Sequence, residues 1–345
     1  MLNELKLVEA LVPELVETLQ ERFQILKAVY WLQPIGRRSL AENLEMTERM
    51  LRTETDFLRQ LGLLTSAKSG MSLTSKGKEI FHSLEKIMNQ LSGMDDLEHQ
   101  IANHFGIERC LVIEGDSDLH VEVVSEFGEV LNNMLDLVLP EGQNIIAVMG
   151  GTTMAEIANH FSNLESSKRH NVFVPARGGI GEALTVQANT VSAVMAGNSG
   201  GEHRALYVPE QLSEETYQTL LQEPAIDDVL ELINHANCVI HSIGRALHMA
   251  ARRKMNEEQL VMLKQQNAVA ESFGYFFDEA GEVIYKVPRI GLQLEALQKV
   301  PHIFAVAGGK TKAKAIRAYL EHAPKQTWLI TDEAAANEIL KGVTL

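Results

Sequence analysis

Between Cys110 and Thr331 six short apolar runs recur: Cys110–Ile113, Ile145–Met149, Val172–Val174, Cys238–Ile243, Phe304–Ala307 and Trp328–Thr331. Stretches with helical periodicity separate them. Strands that alternate with helices in this way predict an α/β domain built on a Rossmann-like, doubly wound, mostly parallel sheet. At 345 residues the chain suits two domains rather than one. A solenoid-length repeat and a low-complexity tract are both absent from it.

The part before the first strand reads differently. Ile25, Leu26, Val29 and Leu32 repeat at helical spacing until Pro34 and Gly36 end the helix. Ser39 can cap a short helix carrying Leu40, Ala41 and Leu44. Thr47 can cap the next, with Met50, Leu51, Leu58 and Leu61 inward and Glu48, Arg49, Arg52, Thr53, Thr55 and Arg59 outward. Gly62 stops it, and LLTSAKSGMSLT reads as two short strands around a Ser69–Gly70 turn. Together these elements predict a winged helix-turn-helix. Ile80, Phe81, Leu84, Ile87, Met88 and Leu91 then continue as a linking helix with an apolar seam, which can serve a dimer contact or pack on its own domain. The expected domains are residues 1–90 and 91–345.

Charge separates the same two parts. The net charge is −15, yet residues 1–90 hold 12 Lys+Arg against 12 Asp+Glu, so the whole excess lies in 91–345. Arg37–Lys78 holds eight bases and five acids. A basic segment on a winged helix points to DNA, with arginines reading guanine in the major groove and wing lysines meeting phosphate. The candidate contacts are Thr47, Arg49, Arg52, Thr53 and the wing residue Lys68, followed by Lys76 and Lys78. Arg49 and Arg52 can equally pair with Glu45, Glu48 or Asp56 on the helix surface. A helical protein-docking module is the plainer reading of the same periodicity.

Three predicted strand ends carry paired glycines: Gly150–Gly151 before Thr152 and Thr153, Gly178–Gly179 after Arg177, and Gly308–Gly309 before Lys310. Strand ends that meet helix N-termini attract anions, and glycine lets a ligand approach the backbone closely. Threonine hydroxyls, an arginine fork and a lysine at one sheet edge suit a ligand with two anionic ends. Any single glycine pair is more simply a tight turn; three with these attachments favour an anion site. GxGxxG and GxxxxGK[ST] are both missing, which argues against NAD and ATP. Gln187 and Glu271 are further polar candidates; Glu271 can accept sugar hydroxyls or sit as a surface charge. His203 and His241 can act as proton shuttles or as satisfied structural groups. A nucleophile and base at a recognisable spacing is lacking, as is a metal cluster, so the sequence predicts neither catalytic nor metal-binding residues. Cys110 and Cys238, in apolar surroundings, fit a reduced cytosolic setting, and neither a signal peptide nor a membrane span is read in the sequence.

The order of TERMLRTETDFLRQLGLL, GGTTMAEIA, VPARGGIGE, VQANTVSA, GYFFDEAGEV and AVAGGKTKAKAI resembles the SorC family of bacterial sugar-responsive transcriptional regulators over essentially the whole chain. The resemblance implies an effector domain similar to sugar-phosphate isomerases and deaminases but without their activity. It implies repression of a glycolytic operon, fructose 1,6-bisphosphate as inducer rather than any cofactor, and homodimers that pair into tetramers on operator DNA. Its effector contacts fall on Thr152, Thr153, Arg177, Gly178, Gly179, Gln187, Glu271 and Lys310. The alternative is a sugar-phosphate isomerase or deaminase carrying a nucleic-acid-binding domain.

Overall fold

The computed structural model describes residues 11–44, 46–91, 94–179, 183–209, 216, 219–220 and 223–341. It divides into two compact units, Met1–Asp95 and Asp96–Leu345, each with its own apolar core.

In the first unit, α1 (Pro13–Leu32) starts on a proline, whose missing N–H costs nothing there, and buries Phe23, Ile25, Leu26 and Val29. α2 spans Arg37–Asn43 and is preceded by Gly36 as its cap, so Ser39 lies inside the helix rather than capping it. α3 spans Glu48–Gln60, and the Oγ1 of Thr47 accepts from the Met50 amide at 3.3 Å, the N-cap the sequence predicts. Its inward face differs from expectation. Leu51, Thr55 and Leu58 (i, i+4, i+7) form the buried seam, whereas Met50 and Leu61 are 43% and 46% exposed. Thr55 tolerates burial because its hydroxyl donates to the Leu51 carbonyl at 2.8 Å.

The end of α3 is a Schellman motif. Gly62 takes φ 74°, its amide reaches Arg59 O, and Leu63 N reaches Leu58 O. β1 (Leu64–Ala67) and β2 (Gly70–Leu73) then pair antiparallel with Ala67 opposite Gly70, which makes Lys68–Ser69 the turn, one residue earlier than predicted. Ile35 bridges Met71 and completes the wing. α4 (Ser75–Leu91) stacks Phe81 on Phe23 and Tyr30, with ring centroids 5.3 and 4.9 Å apart. Phe81 and Met88 are therefore spent on the unit's own core; the side chains of Ile87 and Leu91 lie outside the described residues.

The second unit contains all six predicted strands. It runs α5 (Met94–Phe105), β3 (Arg109–Ile113), α6 (Val121–Val138), β4 (Gly142–Val148), α7 (Thr152–Ala158), β5 (Arg169–Pro175), α8 (Ala188–Ser199), β6 (Glu202–His203), α9 (Pro224–Asn234) and β7 (Cys238–His241). A four-stranded antiparallel sheet follows, of β8 (Gly244–Arg245), β9 (Ala270–Ser272), β10 (Tyr275–Phe277) and β11 (Val283–Lys286), with α10 (Ala246–Arg252) and α11 (Glu257–Gln265) between β8 and β9. β12 (His302–Val306), α12 (Ala313–Leu320), β13 (Thr327–Asp332) and α13 (Glu333–Ile339) close the unit.

The main sheet has the order β3-β13-β12-β7-β4-β5-β6, and all its pairs are parallel. From β4 the chain steps outward to β5 and β6; it then returns to β7 on the other side of β4 and steps outward through β12 and β13. The reversal between β4 and β7 is a topological switch point, where connections leave toward opposite faces and open a crevice at the strand ends.

Candidate functional site

The crevice at the β4/β7 reversal is lined by Met149–Thr153 from the β4 turn, Arg177 beyond β5, and Ser242–Arg245 beyond β7. His248, Met249, Arg252 and Arg253 enter from α10 and its end, Glu271–Phe273 from β9, and Lys312 from the turn after β12. Five cationic side chains therefore converge: Arg177, Arg245, Arg252, Arg253 and Lys312. Among the described residues of the lining the one carboxylate is Glu271.

Local structure explains the first wall. A Cβ on Gly150 would lie 2.4 Å from the Val186 carbonyl oxygen, so only glycine lets the 184–187 turn pack there. Gly151 N donates to the same carbonyl at 2.8 Å, and Gly151 takes φ 131° as the cap of α7. The first amides of a helix have no intrahelical acceptor, so Thr152 and Thr153 bring both amides and hydroxyls to the crevice. Lys312 Nζ donates to Thr153 Oγ1 at 3.2 Å. Burial pushes the Lys312 ammonium below the usual lysine range, and Arg245 and Arg252 push it the same way, while Asp118 and Asp332 oppose them. An anion placed among these groups relieves that repulsion.

Glu271 is buried, and its Oε1 accepts from Arg253 Nη2 at 2.8 Å and from Gly274 N at 2.7 Å. The carboxylate thus fixes a guanidinium at the crevice wall and holds the β9–β10 turn. That turn is Phe273–Gly274, with φ 53° and 78°, the two-positive-φ hairpin in which asparagine or glycine is usual. Phe273 is kept there as a fully buried lining residue against His241, with ring centroids 4.7 Å apart.

The remaining predicted residues lie differently. Arg177 is 3% exposed and lines the crevice, but the amides of Gly178 and Gly179 donate to Ile290 O and Val208 O, and neither glycine is in the lining. A Cβ on Gly178 would lie 2.5 Å from Val208 O, so this pair accommodates the protein's own backbone. Residues 180–182 of the same stretch lie outside the described residues. Gln187 caps α8 with its backbone and is not part of the lining. At the third pair, Gly309 N donates to Asp332 Oδ2 at 2.6 Å, and Thr311 N donates to Asp118 at 2.8 Å. Two carboxylates of the chain itself hold this turn. Lys310 is exposed and outside the lining, whereas Lys312, two residues on, is part of it.

His203 and His241 both contact hydroxyls of the chain itself. His203 contacts Ser192 Oγ at 3.1 Å, away from the crevice lining. His241 contacts Ser272 Oγ and Tyr319 Oη, each at 3.1 Å, and burial lowers its pKa to about 3. Sequence reasoning did not single out Arg245, Arg252, Arg253 or Lys312 of the lining. For the arginines the available signal was the run GRALHMAARRK directly after an apolar strand.

In the first unit Arg49, Arg52 and Thr53 are exposed on α3, and Lys68 is exposed in the wing turn. Thr47 is exposed as well, with its hydroxyl used in the cap. Lys76 instead donates to Leu61 O at 3.0 Å, closing the end of α3.

Residues 18–88 match the family described as the CggR N-terminal DNA binding domain, and residues 89–341 match a sugar-binding domain family. The chain belongs to the SorC family of transcriptional regulators. A SorC family transcriptional regulator from Enterococcus faecalis, solved crystallographically, is 69% identical, with a TM-score of 0.69 over 71% of this chain and 99% of that one. The central glycolytic genes regulator of Priestia megaterium is 43% identical over 332 residues, 96% of each chain; that of Bacillus subtilis is 40% identical over 331 residues, again 96% of each. This SorC-family chain is accordingly a DNA-binding regulator with a sugar-binding domain, and its family is one of regulators rather than enzymes. Among the described residues no helix is long and apolar enough to cross a membrane.

Proposed function

We propose that this chain is a cytoplasmic repressor of glycolytic genes, released from its operator by a sugar bisphosphate, fructose 1,6-bisphosphate in the first place. The observation that carries the reading is the convergence of five cations with the Thr152–Thr153 turn at the topological switch point. One carboxylate, Glu271, is engaged by one of these cations, Arg253. A bisphosphate brings two groups of about −1.5 to −2 charge each at neutral pH, which matches such a lining better than one phosphate does. The effector contacts are Thr152, Thr153, Arg177 and Glu271 from the sequence-based set, joined by Arg252 and Lys312; no protein cofactor enters the reading. The two names of the glycolytic regulators, at 43% and 40% identity, support the choice of genes.

The second unit carries the acidic excess and adds no attraction for DNA backbone, so affinity is concentrated in the winged helices and multiplied by assembly of dimers into tetramers. By linkage, inducer binds the DNA-free arrangement more tightly, with a coupling of about 1–3 kcal/mol. Fluorescence anisotropy of a labelled glycolytic promoter fragment, titrated with fructose 1,6-bisphosphate and separately with glucose 6-phosphate, tests this. Weakening or remodelling of the complex by the bisphosphate alone is expected. Equal indifference to both sugars would discard the inducer, and absence of promoter binding would discard the repressor.

A further inference from the structure

The outer face of α3 carries a stripe at helical spacing, Arg49, Arg52, Thr53 and Asp56 (i, i+3, i+4, i+7), with Arg59 one turn beyond Asp56. Asp56 lies within this stripe and three arginines share it, while Glu48, the exposed acid of the first helical turn, stands four residues before Arg52. Arg59 Nη2 lies 3.1 Å from its carboxylate, Arg52 Nε 3.8 Å, and Arg37 Nη2, reaching from α2, 4.0 Å. The side chain of Asp56 is 35% exposed and those of the arginines 38–69%. The other acid in the middle of the helix, Glu54, faces away and pairs with Arg22 at 2.8 Å.

Ion pairs this open add little to stability. Their consequence is for DNA. In a winged helix the third helix enters the major groove, and a carboxylate on its groove-facing stripe is repelled by every phosphate it meets. Asp56 also holds the heads of Arg52 and Arg59, so each must leave it to reach backbone oxygens. At a matching base pair the same carboxylate can accept from a cytosine amino group while a neighbouring arginine reads guanine. The cost is therefore paid in full on arbitrary DNA and offset on the right sequence. We infer that Asp56 is a specificity-determining residue of the DNA-binding unit: it disfavours binding to arbitrary DNA more than binding to the operator.

The test uses the full chain without effector, binding a duplex of its own promoter region and a scrambled duplex of equal length and composition over a salt series. In Asp56→Asn one more cation is open to phosphate, which corresponds to about fivefold tighter scrambled-duplex binding near 0.15 M salt and a log–log salt slope steeper by about 0.9. The promoter duplex is expected to gain less or to lose affinity, so the ratio between the two falls. Asp56→Glu, which keeps the charge, should restore much of that ratio. Glu54→Gln adds the same charge off the stripe and should raise both duplexes alike. Equal gains on both duplexes in Asp56→Asn, or no change on either, would overturn the inference. A wild-type chain indifferent to the two duplexes would overturn the DNA-recognition reading and the inference with it; indifference to fructose 1,6-bisphosphate would touch only the inducer.

Discussion

Arg177 is buried to 3% exposure at the wall of the crevice. A guanidinium cannot shed its charge, so its burial is sustained by a polar surround and is rewarded further by a bound anion. Arg177→Ala should abolish the response to fructose 1,6-bisphosphate while promoter binding persists; an unchanged anisotropy response in the variant would remove Arg177 from the site. His241 is a different kind of buried polar residue. Folded, it titrates near 3 because burial disfavours the imidazolium, whereas the free side chain titrates near 6.5. Between these values the unfolded chain binds the extra proton, so stability present above 6.5 is lost as the pH falls. From pH 6.5 to 5 the loss from this group is roughly 1.5–2 kcal/mol. Denaturant unfolding at the two pH values should show that difference in the wild type and a smaller one in His241→Gln; equal losses would assign the proton elsewhere.

The third helix was legible in its beginning and its end. Thr47 and Gly62 are local devices, a side-chain cap worth about 1 kcal/mol and a left-handed stop, and each acts within a few residues. Its buried face was harder to read. Met50 and Leu61 are apolar yet exposed, and Thr55 is polar yet buried, because the angular position of each on the helix outweighs its hydropathy once α1 and the wing are in place. A contact between elements decides another position. A Cβ on Gly77 in α4 would lie 2.1 Å from the Leu63 carbonyl oxygen, so helix and wing meet backbone to backbone. Gly77→Ala should destabilise the first unit by about 1–3 kcal/mol as an overpacked contact, lowering its melting temperature and its promoter affinity together. A variant that melts with the wild type would show that the helix can shift without cost.

At the scale of the molecule, the crevice is assembled from five separate stretches between Met149 and Lys312, all in the second unit. A ligand there stabilises that unit directly. Fructose 1,6-bisphosphate at one hundred times its dissociation constant adds about 2.7 kcal/mol, so calorimetry without DNA should show the transition of the second unit rising while that of the first stays in place. Movement of the first transition alone would put the ligand elsewhere. The sequence by itself determined the winged helix, the six apolar strands and the parallel class of the sheet, because caps, periodicity and turn residues act over short spans of chain. It also singled out Arg177 and the Thr152–Thr153 turn. Tertiary structure alone decided which of the three glycine pairs face the crevice. A glycine turn opens space for a ligand or for the protein's own backbone with the same residues, and here Val208 and Asp332 fill two of the three. It alone brought Arg245, Arg252, Arg253 and Lys312 together, since the path from β7 through α10 and back to β12 places them by packing rather than by any spacing along the chain.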